Sequence, residues 1–169
     1  MDADQLRALQ APIKQRYKDD PNAAVITLKA KGTLDDAGIA CKLETGRALA
    51  TAGLHPAPGG SGLELCSGDM LLEALVACAG VTLKAVATAL DISLKSATVM
   101  AEGELDVRGT LGVAKDAPIG FRQIRLGFAV DSVAPQDKLD QLLKLTERYC
   151  VVYQTIKSGP PVDVRMDRV

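Results

Sequence analysis

The sequence predicts an α+β fold in which antiparallel strand pairs surround one long, buried helix. Three observations carry this reading. Residues 68–90 form an apolar run of helical length that is apolar nearly all round. Short stretches before and after it alternate apolar and polar residues in pairs, with turn residues between them. A second helical pattern then carries Leu139, Leu142, Leu143 and Thr146 and is followed by a last alternating stretch.

The elements follow in the order αββαββαβ. Leu6, Leu9, Ile13 and Tyr17 recur at steps of three and four, which predicts an amphipathic helix over 3–18 with an interruption at Pro12. Asp19-Asp20-Pro21-Asn22 ends it. Residues 1–20 thus form an N-terminal helical extension, and 21–169 form one domain without internal repeat or linker. Ile26, Leu28 and Ala30 alternate with Thr27, Lys29 and Lys31. Gly32–Gly38 supplies a turn, and Ile39, Cys41 and Leu43 then alternate with Lys42 and Glu44. The pair reads as a hairpin.

Residues 45–62 are glycine- and proline-rich and read as loop. Ser67 is placed to cap the long helix, with Asp69 at the positive end of its dipole. Glu73, Gly80 and Lys84 interrupt the apolar run, which favours a buried helix over a membrane span. Val99, Ala101, Gly103, Leu105 and Val107 face one way on the next strand. Ile124, Leu126, Phe128 and Val130 do so on its partner. Pro135 suits the first turn of the next helix. Pro160-Pro161 is a stop, and Val162, Val164 and Met166 form a last short strand.

Composition excludes several functions. Twenty Lys+Arg against 21 Asp+Glu leave no basic excess for nucleic acid, and 3% aromatic residues are too few for a base-stacking platform. A single histidine, His55, rules out most histidine metal sites and leaves a serine triad one possible base. No cofactor or metal is expected. Gly59-Gly60-Ser61-Gly62 lacks the Lys-Ser/Thr of a phosphate loop and reads as loop. The N-terminus, MDADQLRALQ, has no apolar segment of the signal-peptide kind, so a reducing, cytoplasmic location is the default.

Four cysteines stand out, at 41, 66, 78 and 150, with no CxxC among them. Cys41 falls on a strand's apolar face and Cys66 just before the helix cap. Cys78 lies within the long helix beside Ala74, Leu75, Val81 and Thr82. Cys150 lies near the end of the second helix. Buried free cysteine is ordinarily a small core residue. A working thiol at Cys78 needs a lowered pKa. The helix dipole acts only within the first turn, and Cys78 lies about 13 Å in, so a cation from elsewhere is expected. Arg47 is the only arginine between Tyr17 and Cys78 and is the candidate. Lys31 is a weaker substitute, lacking the planar fork. Glu73 lies one turn beyond Asp69 and is a possible partner for Arg47.

The run from Cys66 through Asp69 and Cys78 to Leu83, CSGDMLLEALVACAGVTL, resembles the central-helix signature of the OsmC/Ohr family. The segment from Glu147 to Thr155, ERYCVVYQT, resembles that family's second-cysteine motif, although Val151 stands where the family often has proline. The resemblance extends over residues 22–169 and implies the OsmC-like fold, antiparallel sheets around a long central helix, in an intertwined homodimer. It implies thiol-dependent reduction of organic or inorganic hydroperoxides. Cys78 would be the peroxidatic thiolate and Cys150 the resolving thiol. Asp69 would hold Arg47 by a bidentate pair. The implied partners are a hydroperoxide and a thiol or dithiol reductant, with no nucleic acid and no membrane. The alternatives are a non-catalytic small-ligand-binding or stress-related protein on the same fold, and a structural role with both thiols as core.

Overall fold

Apolar periodicity and strand alternation sort the chain into elements in a computed structural model that describes residues 2–19, 32–34, 40–44, 49–112 and 114–168. In chain order these are α1 (Ala3–Asp19), β1 (Gly32–Leu34), β2 (Ala40–Glu44), β3 (Leu49–Gly53) and β4 (Leu65–Cys66). They continue with α2 (Ser67–Ala89), β5 (Ser96–Leu105), α3 (Val107–Thr110), β6 (Phe121–Asp131), α4 (Gln136–Tyr149) and α5 (Val151–Ser158).

Helix α2 is the organising element. Its 23 residues are rich in Leu and Ala and carry Asp69 in the first turn. Leu75, Ala79, Leu83 and Ala87 repeat every four residues and form its buried stripe. Leu83 and Ala87 meet Leu142 of α4 and Ile92, with Phe128 and Val130 of β6 packed against them. The core therefore lies between the second half of α2, α4 and the β5–β6 pair. A mean hydropathy of 1.8 makes α2 apolar and long enough to cross a membrane, a property that the core helix of a globular domain shares. Its other faces remain open within the chain: Val81 is 73% exposed. The expectation of a helix buried on all sides is met here along one stripe.

Strands β1, β2 and β3 pair antiparallel, and β4 joins β3 in parallel. Strands β5 and β6 form a separate antiparallel ribbon with an irregularity at Glu104/Leu105. Gly103 is needed at that bend. A Cβ there would lie 2.6 Å from the Phe121 ring, which covers the strand at this point.

Several expectations are corrected. The turn placed at Gly32–Gly38 begins with a strand, since Gly32–Leu34 pairs with Cys41–Leu43. The strand expected over 25–31 lies outside the described residues. The loop expected over 45–62 contains β3. Its ladder to β2, not β-branched side chains, holds the small residues Ala50–Gly53 extended. Cys66, not Ser67, is the N-cap of α2, because pairing with Gly53 keeps Cys66 extended. Pro135 likewise sits at the N-cap of α4, one residue before the first turn. Val107 leaves the strand for α3, where the Asp106 side chain accepts from the Arg108 N–H. Helix α1 runs through Pro12 without a break. Residues 162–166 form no strand. Val162, Val164 and Met166 are 80–96% exposed, with no sheet neighbour among the described residues. Helix α5 was not expected as a separate element. It ends at Gly159, whose φ of +49° suits a residue without Cβ.

Candidate active site

Two cysteines 72 residues apart in sequence meet where α4 gives way to α5. Cys78 projects from the middle of α2 and is partly buried. Cys150 is 1% exposed and serves both as C-cap of α4 and as N-cap of α5. Its backbone is extended there, with φ −72° and ψ 107°, so the chain kinks sharply at the cysteine.

The kink is firmly held. The Cys150 N–H donates to the Thr146 carbonyl at 3.0 Å, and the buried Thr146 hydroxyl donates to the Leu142 carbonyl at 2.8 Å. The Gln154 side-chain amide reaches back to the Glu147 carbonyl at 2.7 Å and ties α5 to α4. Leu142 belongs to the core beneath α2, so the head of α5 is fixed relative to Cys78.

The two thiols have opposite surroundings. Partial burial pushes the Cys78 thiol up. The Val152 N–H, the Cys150 thiol, the Val151 N–H and the Thr82 hydroxyl outweigh it and hold Cys78 below the ordinary thiol value. Burial acts more strongly on Cys150. The Tyr153 N–H offsets part of it, but the neighbouring Cys78 adds to the rise, and Cys150 is held above the ordinary value. The result is a thiol that ionises more readily than an ordinary cysteine beside one that ionises less readily. That is the arrangement in which one sulfur attacks and the other later condenses with it.

The single Thr82 hydroxyl proton is shared with the Cys78 carbonyl, 2.8 Å away and one turn back along α2. A groove of about 1110 Å³ lies between α2, β6, α4 and α5; Leu71, Leu75, Phe121, Ile124, Leu142 and Tyr153 are among its lining residues, and neither Cys78 nor Cys150 is. Leu75 and Leu71 precede Cys78 by one and two turns of α2, so the groove runs along the face that carries the thiol.

Of the residues singled out in the sequence, Cys78 and Cys150 are brought together. Asp69 is not brought to them. It is exposed, and nine residues before Cys78 it points half a turn round α2 and about 13 Å away. It borders a second cavity of about 540 Å³ with His55, Cys66 and Ser67. Glu73 is exposed. Cys41 lies within β2, opposite Leu34 and Ala52. Arg47 and Lys31 lie outside the described residues. The described residues contain no group of three or more His, Cys, Asp or Glu side chains set to hold a metal ion.

Sequence reasoning missed the backbone donors at Val151 and Val152. The signal was present: Val152 and Ile156 are four apart directly after Cys150, which marks a new helix with free amides at its start.

Comparison with known proteins agrees with this architecture. The family described as OsmC-like protein matches residues 60–165. An OsmC-like protein from Mycoplasma pneumoniae superposes with a TM-score of 0.66 at 16% identity, covering 79% of this chain and 89% of its own. An organic hydroperoxide resistance protein from Elizabethkingia anophelis, with thiocyanate bound, gives 0.64 at 15% identity, covering 80% and 91%. An organic hydroperoxide resistance protein OsmC from Legionella pneumophila gives 0.62 at 18% identity, covering 80% and 93%. No curated protein matches the chain. At these identities the superpositions speak for the fold. With the family match spanning more than half of the chain, the protein belongs to the OsmC-like family.

Proposed function

We propose that the protein is a thiol-dependent peroxidase that reduces hydroperoxides. The observation that carries this reading is the meeting of Cys78 and Cys150 at the head of α5, with the first thiol held low and the second held high. The Cys78 thiolate attacks the distal oxygen of the hydroperoxide. The S–O bond forms as the O–O bond breaks, and the alkoxide leaves and takes a proton to become the alcohol. Cys78 is then a sulfenic acid. The Cys150 thiol condenses with it, forming the disulfide and releasing water. An external thiol or dithiol supplies the two electrons that restore both thiols. Hydroperoxide-resistance proteins among the structural neighbours support the substrate class. The largely apolar lining of the groove along α2 favours organic hydroperoxides. Arg47 stays the proposed cation of the site. The reaction suits a reducing, cytoplasmic setting.

The same reading includes a homodimer. Leu71, Val81, Met100, Leu143, Tyr149 and Val151 are all 40–73% exposed in the single chain. A second copy would cover these apolar side chains. Residues 21–169 form the OsmC-like domain in this reading, and 1–20 are an extension of it.

The direct test is turnover. Cumene hydroperoxide should be consumed in the presence of a dithiol by the wild-type protein, and consumption should vanish in Cys78→Ser. A wild-type protein that consumes no hydroperoxide under these conditions overturns the reading. A second reading, a non-catalytic binder of a small apolar ligand, is favoured by the size of the groove. It predicts tight binding in the wild type and in Cys78→Ser alike, with no turnover in either.

A further inference from the structure

Resting on the peroxidase reading, we propose that the backbone N–H groups of Val151 and Val152 are the anion-holding donors of the reaction, keeping the Cys78 sulfur charged and aimed before attack. The first hydrogen bond inside α5 runs from the Gln154 N–H to the Cys150 carbonyl at 2.9 Å. The N–H groups of Val151, Val152 and Tyr153 therefore have no acceptor within their own helix. Such orphan amides at a helix head bind anions. Here they serve both sulfurs. The N–H groups of Val152 and Val151 bear on Cys78, and those of Tyr153 and Val152 on Cys150, so the Val152 N–H is shared. Both cysteines are thus served by one turn of backbone.

The arrangement fits the chemistry. A thiolate at the twelfth residue of α2 draws nothing from the head of its own helix. It draws instead on the head of α5, which Cys150, Thr146 and Gln154 lock in place. Backbone donors fixed in this way need no rearrangement as charge moves from sulfur to the leaving oxygen. Of the titratable side chains on the elements packed against α2, Cys150 faces the Cys78 sulfur. Glu147 borders the groove, and Glu102 and Glu104 of β5 pair with Arg125.

Val151 allows one donor to be deleted cleanly. It occupies the first position of α5, where proline is favoured in helices generally, and its side chain is 69% exposed. Cys150 before it already has the extended backbone that a following proline requires. Val151→Pro therefore removes the N–H and leaves the helix head otherwise intact. Val151→Ala keeps the N–H and is the conservative counterpart.

The measurement is the pH dependence of iodoacetamide alkylation at Cys78, read peptide by peptide on the reduced, full-length protein without peroxide. Val151→Pro should carry roughly ten-fold less Cys78 thiolate at neutral pH, as expected when a hydrogen bond to a charged group is lost. Val151→Ala should follow the wild-type profile. A Val151→Pro profile that coincides with wild type overturns the proposal. Because no turnover is needed, a shifted profile in a protein that reduces no hydroperoxide would sink the peroxidase reading alone. Should Val151→Pro fail to fold, the wild-type amide resonances decide. Those of Val151 and Val152 should move as Cys78 ionises and stay still over the same range in Cys78→Ser. Resonances that stay still in both proteins overturn the proposal.

Discussion

In the proposed reaction Cys78 and Cys150 divide the work, because their surroundings push their ionisation in opposite directions. Cys78 lies below the ordinary thiol value, so its thiolate is populated at lower pH than in a free cysteine. Alkylation and peroxide reduction should both rise with pH through that lowered value and level off above it. A midpoint at or above that of free cysteine would contradict this. The same ionisation favours the fold. That stabilisation is present above the ordinary thiol pKa and is lost as pH falls through the lowered one. Cys150 has the reverse sign, since its raised value favours the neutral thiol and that stabilisation is lost at high pH. Cys150→Ser should still react once with hydroperoxide and stop with one added oxygen on Cys78, visible by mass. The two cysteines were legible because side chains carry motifs. The donors at Val151 and Val152 were not, because a backbone N–H belongs to every residue but proline and becomes distinctive only when a helix begins beneath it.

Helix α2 shows how a legible element differs from an inferred one. Its length and apolar run marked it plainly, and its buried stripe decides what it contributes. Leu83, 3% exposed between Leu142 and Ile92, should cost about 2–5 kcal/mol on Leu83→Ala, measured by denaturant unfolding. Gly103→Ala should destabilise by about 1–3 kcal/mol, because the new methyl meets the Phe121 ring. An unchanged melting point for either variant would show that the packing here yields more easily. The strands were read less evenly. The β5–β6 ribbon alternates clearly, with Val99 paired to Phe128 and Ala101 to Leu126. Strand β3, Leu-Ala-Thr-Ala-Gly, offers little β-propensity of its own and exists through its register with Ala40–Glu44. The alternation at Val162, Val164 and Met166 has the strand pattern without a partner strand among the described residues, and pattern alone does not make a ladder.

At the scale of the molecule, few of the described apolar residues are fully buried. The buried hydrophobic residues among those described are Leu75, Ala79, Leu83, Ala87, Ile92, Leu142 and Cys150, while Val81, Tyr149 and Val151 face outward around the thiol pair. In the homodimer proposed above these side chains are covered. Sedimentation should then give twice the 17.7 kDa chain mass, and Val81→Asp should shift it toward the single chain. A wild-type protein that sediments as a single chain would remove the dimer from the reading and leave the thiol chemistry standing. The family and its fold are shown by the match over residues 60–165, and the proposed reduction of hydroperoxides rests on the two sulfurs. Mass spectrometry of the reduced protein after one equivalent of cumene hydroperoxide tests them most directly. The protein should lose two hydrogens, with Cys78 and Cys150 recovered in one disulfide-linked peptide pair. An unchanged mass, or oxidation confined to Cys66 or Cys41, would contradict the assignment of Cys78 and Cys150 as the reacting pair.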